Sequence, residues 1–373
     1  MKLGAPFLLL LLTLSFETSL FAQKTTPTPK NDDDEVVRVD TELVDVPVIV
    51  VDSTGKPVLN LKQTNFAIFE DGKTQEVADF AATSAPFEVA LLLDTSGSTR
   101  ADLQLIQRAA QIFIDSLRPG DRVSIISFAT VIDGNRRAPA AEVVTGLTGD
   151  RAVLKSALDR VSTSNGTPYY DGVMKVVEEV FKSEPRDEFR GRRALVALTD
   201  GVDSTSVSTF DEAREGLERA GLTAYFVQVD TRPYFEEGLL GPCEGATRFS
   251  AAQIRRYYRS FGSKANLEQT SNFCELGDFE RLAISKKLYE IANTEMASVA
   301  KQSGGKVFPV GDLNDARTAF RSVAAEIGTK YSLGYYSSNS KRDGSYRKIR
   351  VELRGLPAGV QVRAREGYTA PTN

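Results

Sequence analysis

The alternation of apolar and polar positions changes rhythm twice along the chain. From about residue 37 to 84 the period is two: Val44, Val46, Val48 and Val50 alternate with other residues, the mark of a half-buried strand. Ser53-Thr54-Gly55-Lys56 reads as a turn, and Asp71-Gly72 as a hairpin turn between Phe66–Phe69 and the next strand. From about 88 to 328 strands and helices alternate. Val89–Leu93 is an unbroken apolar run, as expected for a strand covered on both faces. Leu103, Ile106, Ala110, Phe113 and Leu117 then fall on one helical stripe. Arg118-Pro119-Gly120-Asp121 ends that helix, and Val123–Phe128 is the next strand. The pattern continues with a helix around Tyr169–Phe181, a strand at Ala194–Leu198, a helix at Phe210–Ala220 and a strand at Leu222–Val229. After an irregular stretch come a helix over Lys286–Gln302, a strand at Val307–Val310 and a helix over Leu313–Ile327. From about 331 to 369 the period of two returns in Ile349, Val351 and Leu353, and in Val360, Val362 and Ala364.

This pattern predicts an α/β fold, a doubly wound and mostly parallel sheet. Neither β flank has strands enough to bury a core alone. The expectation is therefore a small all-β sandwich built from residues 37–85 and 330–370, with the α/β unit, 86–329, inserted between them. Ligands of such sheets sit at the carboxyl ends of the strands.

The first residues read as an address. Lys2 precedes an apolar run from Phe7 through Phe16, and Ala22 offers a small residue for cleavage. The run is short for a permanent anchor, so 1–22 is expected to be a secretory signal peptide. Residues 23–36, containing KTTPTPKNDDDE, are expected to be a disordered linker. No later segment is long and apolar enough for a bilayer, so no integral membrane segment is expected after cleavage.

Charge and composition narrow the chemistry. Lys plus Arg number 46 against 50 Asp plus Glu, which argues against a nucleic-acid partner. There is no histidine, which removes Ser-His-Asp and Cys-His pairs and imidazole-ligated zinc. Two cysteines are too few for a thiolate zinc site or an iron–sulfur cluster. A metal would have to be a hard cation on oxygen ligands.

Asp94-Thr95-Ser96-Gly97-Ser98 follows the strand Val89–Leu93 directly. It puts one carboxylate and two hydroxyls at a strand end before a helix, and alternate spacing lets Ser96 and Ser98 face one pocket. Alone this D-x-S-x-S run is a weak signal. Thr167, in a loop opening a helix, and Asp200, just after Ala194–Leu198, fall on the same predicted rim. These residues resemble the von Willebrand factor type A superfamily over about 88–328, where Asp94, Ser96, Ser98, Thr167 and Asp200 match the five positions of its metal-ion-dependent adhesion site. The flanking stretches FAIFEDGKTQEVADF (66–80) and AREGY (364–368) are similar to those of a VWFA-related family known from acidobacteria. The resemblance implies Mg²⁺, with Mn²⁺ or Ca²⁺ as alternatives. Ser96 and Ser98 would bind it directly and Thr167 directly or through water, while Asp94 and Asp200 would act mostly through water. An Asp or Glu of a protein partner would complete the shell. Asp203 is a further acid nearby, and the sequon Asn165-Gly166-Thr167 is read as coincidental.

Residues 231–287 exceed an ordinary connection and hold both cysteines. In an exported chain Cys243 and Cys274 are expected to pair. Arg255, Arg256, Tyr257 and Tyr258 in the same insertion are of the types favoured at protein interfaces. The function expected is an exported, periplasmic or extracellular, cation-dependent adhesion or protein-binding module. It is not expected to be an enzyme, since no residue stands out as a general base. The alternatives are a structural envelope protein with a vestigial site and a metal-dependent hydrolase.

Overall fold

The computed structural model describes residues 42–96, 103–133, 136–243, 248–262 and 273–372. The expected signal peptide and linker, and Ser98 of the expected site, lie outside the described residues.

β1 (Leu43–Val51) alternates as the sequence suggests, with Val44, Val46, Val48 and Val50 all turned into one core. It lies in an antiparallel sheet between β11 (Tyr331–Tyr336) and β13 (Gln361–Ala364), with β4 (Asp79–Ala81) at the far edge beside β11. A second antiparallel sheet pairs β12 (Tyr346–Leu353) with β14 (Gly367–Thr369) and β2 (Phe66–Glu70), and β2 with β3 (Lys73–Gln75). Both sheets thus interleave strands from both ends of the chain. Their inner faces share a core in which Val46, Tyr331 and Leu333 meet Phe66, Ile68 and Val351. β12 also buries Arg347, whose guanidinium faces the buried Glu70 carboxylate at 3.5 Å.

Between the flanks lies a six-stranded sheet of order β10-β9-β8-β5-β6-β7. β5 (Glu88–Leu93) is central and fully buried, running parallel to β6 (Arg122–Asp133) and β8 (Arg193–Thr199). β9 (Thr223–Val229) and β10 (Lys306–Val310) continue the parallel set beyond β8. Along β5, Val89, Leu91 and Leu93 face helices α1 (Leu103–Asp115), α2 (Arg151–Arg160) and α8 (Ala316–Gly328). Ala90 and Leu92 face α3 (Tyr169–Lys175), α4 (Phe210–Arg219) and α7 (Asp278–Ser303). This two-sided cover is why β5 reads as a continuous apolar run.

The structure departs from the sequence pattern in three places. β6 runs past Phe128 and returns antiparallel as β7 (Arg136–Thr148), an edge strand. Its RRAPAAEVV stretch, with Pro139 inside, carries too little apolar alternation to stand out, and an edge tolerates such a strand. α2 was also hidden, since only Leu154, Ala157 and Leu158 of its ten residues are buried. The described part of the insertion is largely helical: α5 (Arg232–Leu239), α6 (Ala251–Arg259) and the first turns of α7, which begins at Asp278. These helices enclose a small core of Leu239, Phe249, Ile254, Phe273, Leu276 and Ile284, closed by the Cys243–Cys274 disulfide with a Cα–Cα distance of 5.2 Å. No helix among the described residues is long and apolar enough to cross a membrane.

Candidate functional site

The chain leaves β5 toward β6 on one side, while β8, on the other side of β5, leads away to β9. The carboxyl ends of β5 and β8 therefore flank the switch point of the sheet, the place where ligands of such sheets bind. Asp94 is the first residue after β5, and Asp200 the first after β8.

Three loops are laced together there. The Asp94 N–H donates to Leu198 O at 2.9 Å, and the Thr199 hydroxyl donates to Asp94 Oδ2 at 2.7 Å, joining the first loop to the third. The Ser164 N–H donates to Thr95 O at 2.8 Å, joining the Thr167 loop to the first. The Thr167 N–H donates to Ser204 Oγ at 2.8 Å and Thr167 O accepts from the Ser204 N–H at 3.0 Å, which closes the ring. The Thr95 hydroxyl donates to Phe128 O of β6 and so is committed to the sheet. The Ser96 N–H donates to Asp94 Oδ1 at 3.1 Å. Gly201 turns the chain with φ +74°, a conformation open to glycine, and a Cβ there would come within 2.7 Å of Met296 Cε.

Asp94, Ser96 and Asp200 are buried, whereas Thr167 is only partly covered. Burial pushes the Asp94 carboxyl above its ordinary range. Asp200 is pushed up to about 7, first by burial and then by the negative charge of Asp94. Asp200 Oδ1 accepts the Val202 N–H at 2.8 Å, and Oδ2 accepts from the Thr231 hydroxyl. Asp203 does not join the donor set. Its Oδ1 accepts the Tyr169 N–H at 2.9 Å and so caps α3, and burial lifts its carboxyl to about 6.

Two buried carboxylates and neutral hydroxyls, with no nitrogen or sulfur donor beside them among the described residues, suit a small hard cation, which prefers oxygen. A positive ion there would offset the charge that drives Asp200 upward. Among the described residues no cluster of three or more acidic, cysteine or histidine side chains forms a metal cage.

Residues 89–202 match the family model of the von Willebrand factor type A domain. The chain carries a von Willebrand factor type A domain. The match spans β5 to the turn after β8, and so includes Asp94, Ser96, Ser98, Thr167 and Asp200. Among solved structures the chain is similar to BatB from Bacteroides thetaiotaomicron, at 19% identity over 65% of this chain and 98% of that one, with a TM-score of 0.40. It is similar to a von Willebrand factor type A protein from Catenulispora acidiphila, at 12% identity over 89% and 75% of the two chains, TM-score 0.42. It also resembles proximal thread matrix protein 1 of the mussel byssus, at 12% identity and TM-score 0.41; the match covers 65% of this chain and 48% of that one, about half its length. Likeness at this level says nothing of partner or activity. No curated protein matches the chain.

The insertion of the von Willebrand factor type A domain lies against the Thr167 loop. Arg256 of α6 sits over the Tyr170 ring at 5.2 Å and pairs with Glu295 of α7, and the Tyr170 hydroxyl donates to Glu295 Oε2 at 2.8 Å. Tyr170 is three residues beyond Thr167. Tyr258 donates to Glu280 at 2.9 Å, Tyr257 packs edge-on against Tyr258 and Phe261, and Arg255 is exposed. Of the four interface candidates, Arg256 is therefore committed to an internal contact. Thr199, Thr231, Tyr289 and Glu295 were missed by the sequence reading. Thr199 could have been found as the hydroxyl next to Asp200, but Thr231 and Tyr289 stand 31 and 89 residues from Asp200 and carry no local signal.

Proposed function

We propose that this von Willebrand factor type A domain is a non-enzymatic binding module that uses a divalent cation, Mg²⁺ first among the candidates and Mn²⁺ or Ca²⁺ next, to hold an acidic residue of a protein partner. The observation that carries the reading is the closed ring of hydrogen bonds among the loops of Asp94, Thr167 and Asp200, at the switch point of the sheet. In this reading Ser96, Ser98 and Thr167 supply neutral oxygen ligands, and Asp94 and Asp200 orient them and balance charge. The bound ion supplies electrophilicity: with few charged direct ligands it keeps its attraction for a visiting carboxylate. Thr167, the partly covered member, marks the side from which the partner approaches. The absence of histidine from the sequence, and of any base placed beside these residues by the sequence reading, supports binding rather than hydrolysis.

The apolar run near the N-terminus and the Cys243–Cys274 bond support export to an oxidising compartment. The test is capture of cell-envelope proteins by the immobilised full chain with Mg²⁺ or with EDTA, beside an Asp94→Ala control. Binding that disappears with EDTA and in the variant is expected. Binding indifferent to both would refute the reading.

A further inference from the structure

We propose that Thr231 and Tyr289 are positioning residues that fix the Asp200 carboxylate for its role at the cation site. The inference rests on the proposed cation-binding reading and adds to it the part of the chain that sets how tightly the ion is held.

Asp200 Oδ2 is engaged from the side away from Asp94's strand by two hydroxyls that also touch each other. Thr231, the residue just before α5, donates to Oδ2, the Tyr289 hydroxyl of α7 lies 3.5 Å from the same oxygen, and the two hydroxyl oxygens are 2.8 Å apart. All three side chains are buried. A carboxylate oxygen so occupied leaves the other, Oδ1, as the one with acceptor capacity to spare, since its only partner among the described residues is the Val202 N–H. The pair of hydroxyls therefore selects the rotation of Asp200 and decides which oxygen faces the site. Neutral donors do this without adding a charge that would compete with a cation. Outer hydrogen-bond partners of metal ligands act in this manner generally.

The anchor is itself held. The Tyr289 ring belongs to the small core of the insertion, with Phe235 at 6.5 Å between ring centres and Leu239, Ile284 and Leu288 around it. One turn and a half further along α7, Glu295 receives both Arg256 and the Tyr170 hydroxyl beside the Thr167 loop. α7 thus reaches the site at two points, and with Thr231 it forms the wall from which Asp200 is set.

The test is calorimetric titration of Mn²⁺ into the oxidised full chain, for the wild type, Tyr289→Phe and Thr231→Val, with melting temperatures recorded in EDTA. Both variants keep the packing volume and lose the hydroxyl. The expected result is a loss of affinity of about tenfold or more in each, with a cooperative melt retained and a change in the double variant smaller than the product of the two. A merely structural role would lower the melting temperature and leave the affinity alone. Unchanged affinity in Tyr289→Phe, with the wild type binding, overturns this proposal and spares the cation reading. No binding by the wild type removes both.

Discussion

The Thr199 hydroxyl donates to Asp94 Oδ2 at 2.7 Å while accepting the Gly201 N–H at 2.9 Å, so one side chain ties the ends of β5 and β8 together across the switch point. Asp94 cannot turn without disturbing the backbone that carries Asp200. Thr199→Val keeps the shape and takes one hydrogen-bond donor from a buried carboxylate. It is expected to lower stability by about 2 kcal/mol and to weaken Mn²⁺ binding by about tenfold. Chemical denaturation and metal titration of the same preparation check both.

Asp200→Asn should separate stability from function. Without metal, a buried carboxylate beside a second one is destabilising, and neutralising it is expected to raise stability by about 2 kcal/mol at pH 8. The same change should abolish the thermal upshift that Mg²⁺ gives the wild type. Melting curves in EDTA and in Mg²⁺ decide it. A variant less stable than wild type in EDTA, yet still shifted by Mg²⁺, would show that the carboxylate has no such role.

The pH dependence has a definite sign. Asp200 titrates at about 7 in the folded metal-free chain against 3.8 ordinarily. Between those values the native state holds a proton that the unfolded state has lost. This group's contribution to stability is therefore present below about pH 4 and lost as pH rises through about 7. With a cation bound the ionised form is favoured and this slope should vanish. Metal affinity should accordingly climb as pH rises from 6 to 8, which titrations at a series of pH values would measure.

Lys330 gives a second pH effect far from the site. Its ammonium is buried with no hydrogen-bond partner among the described residues, above the Tyr225 ring at 5.3 Å, and burial lowers it from 10.5 to about 7. From pH 7 to 10.5 the unfolded chain binds more protons, so this group makes stability rise with pH across that window. Lys330→Met removes the cost of burying the charge and is expected to stabilise the chain by about 2 kcal/mol at pH 6, with a smaller gain at pH 10.

What was legible in the sequence follows from how local each signal is. β5 announced itself because burial on both faces leaves Val89–Leu93 without a polar position, and β1 because Val44, Val46, Val48 and Val50 all turn into one core. The union of the two flanks was legible because neither holds enough strands alone, and β1 between β11 and β13 bears it out. β7 was not, because an edge strand with half-covered residues has no strong period. The insertion read as irregular since its short helices bury only a few residues each, as α5 shows with Leu239. At the site, Asp94 and Ser96 share one short motif, while Thr231 and Tyr289 reach Asp200 only through the return of the chain along β9 and α7. Position in the sequence says nothing of such contacts; only the fold supplies them.

In the proposed function, oxygen atoms from three loops hold one divalent cation beside Asp94 and Asp200. The most direct test of this claim is Mn²⁺ titration of the full chain, wild type beside Ser96→Ala, followed by calorimetry and by the paramagnetic resonance of the free ion. One saturable site per chain in the wild type, lost or weakened by about tenfold or more in Ser96→Ala, is the expected result. No uptake by the wild type, or the same uptake by Ser96→Ala, would contradict the claim.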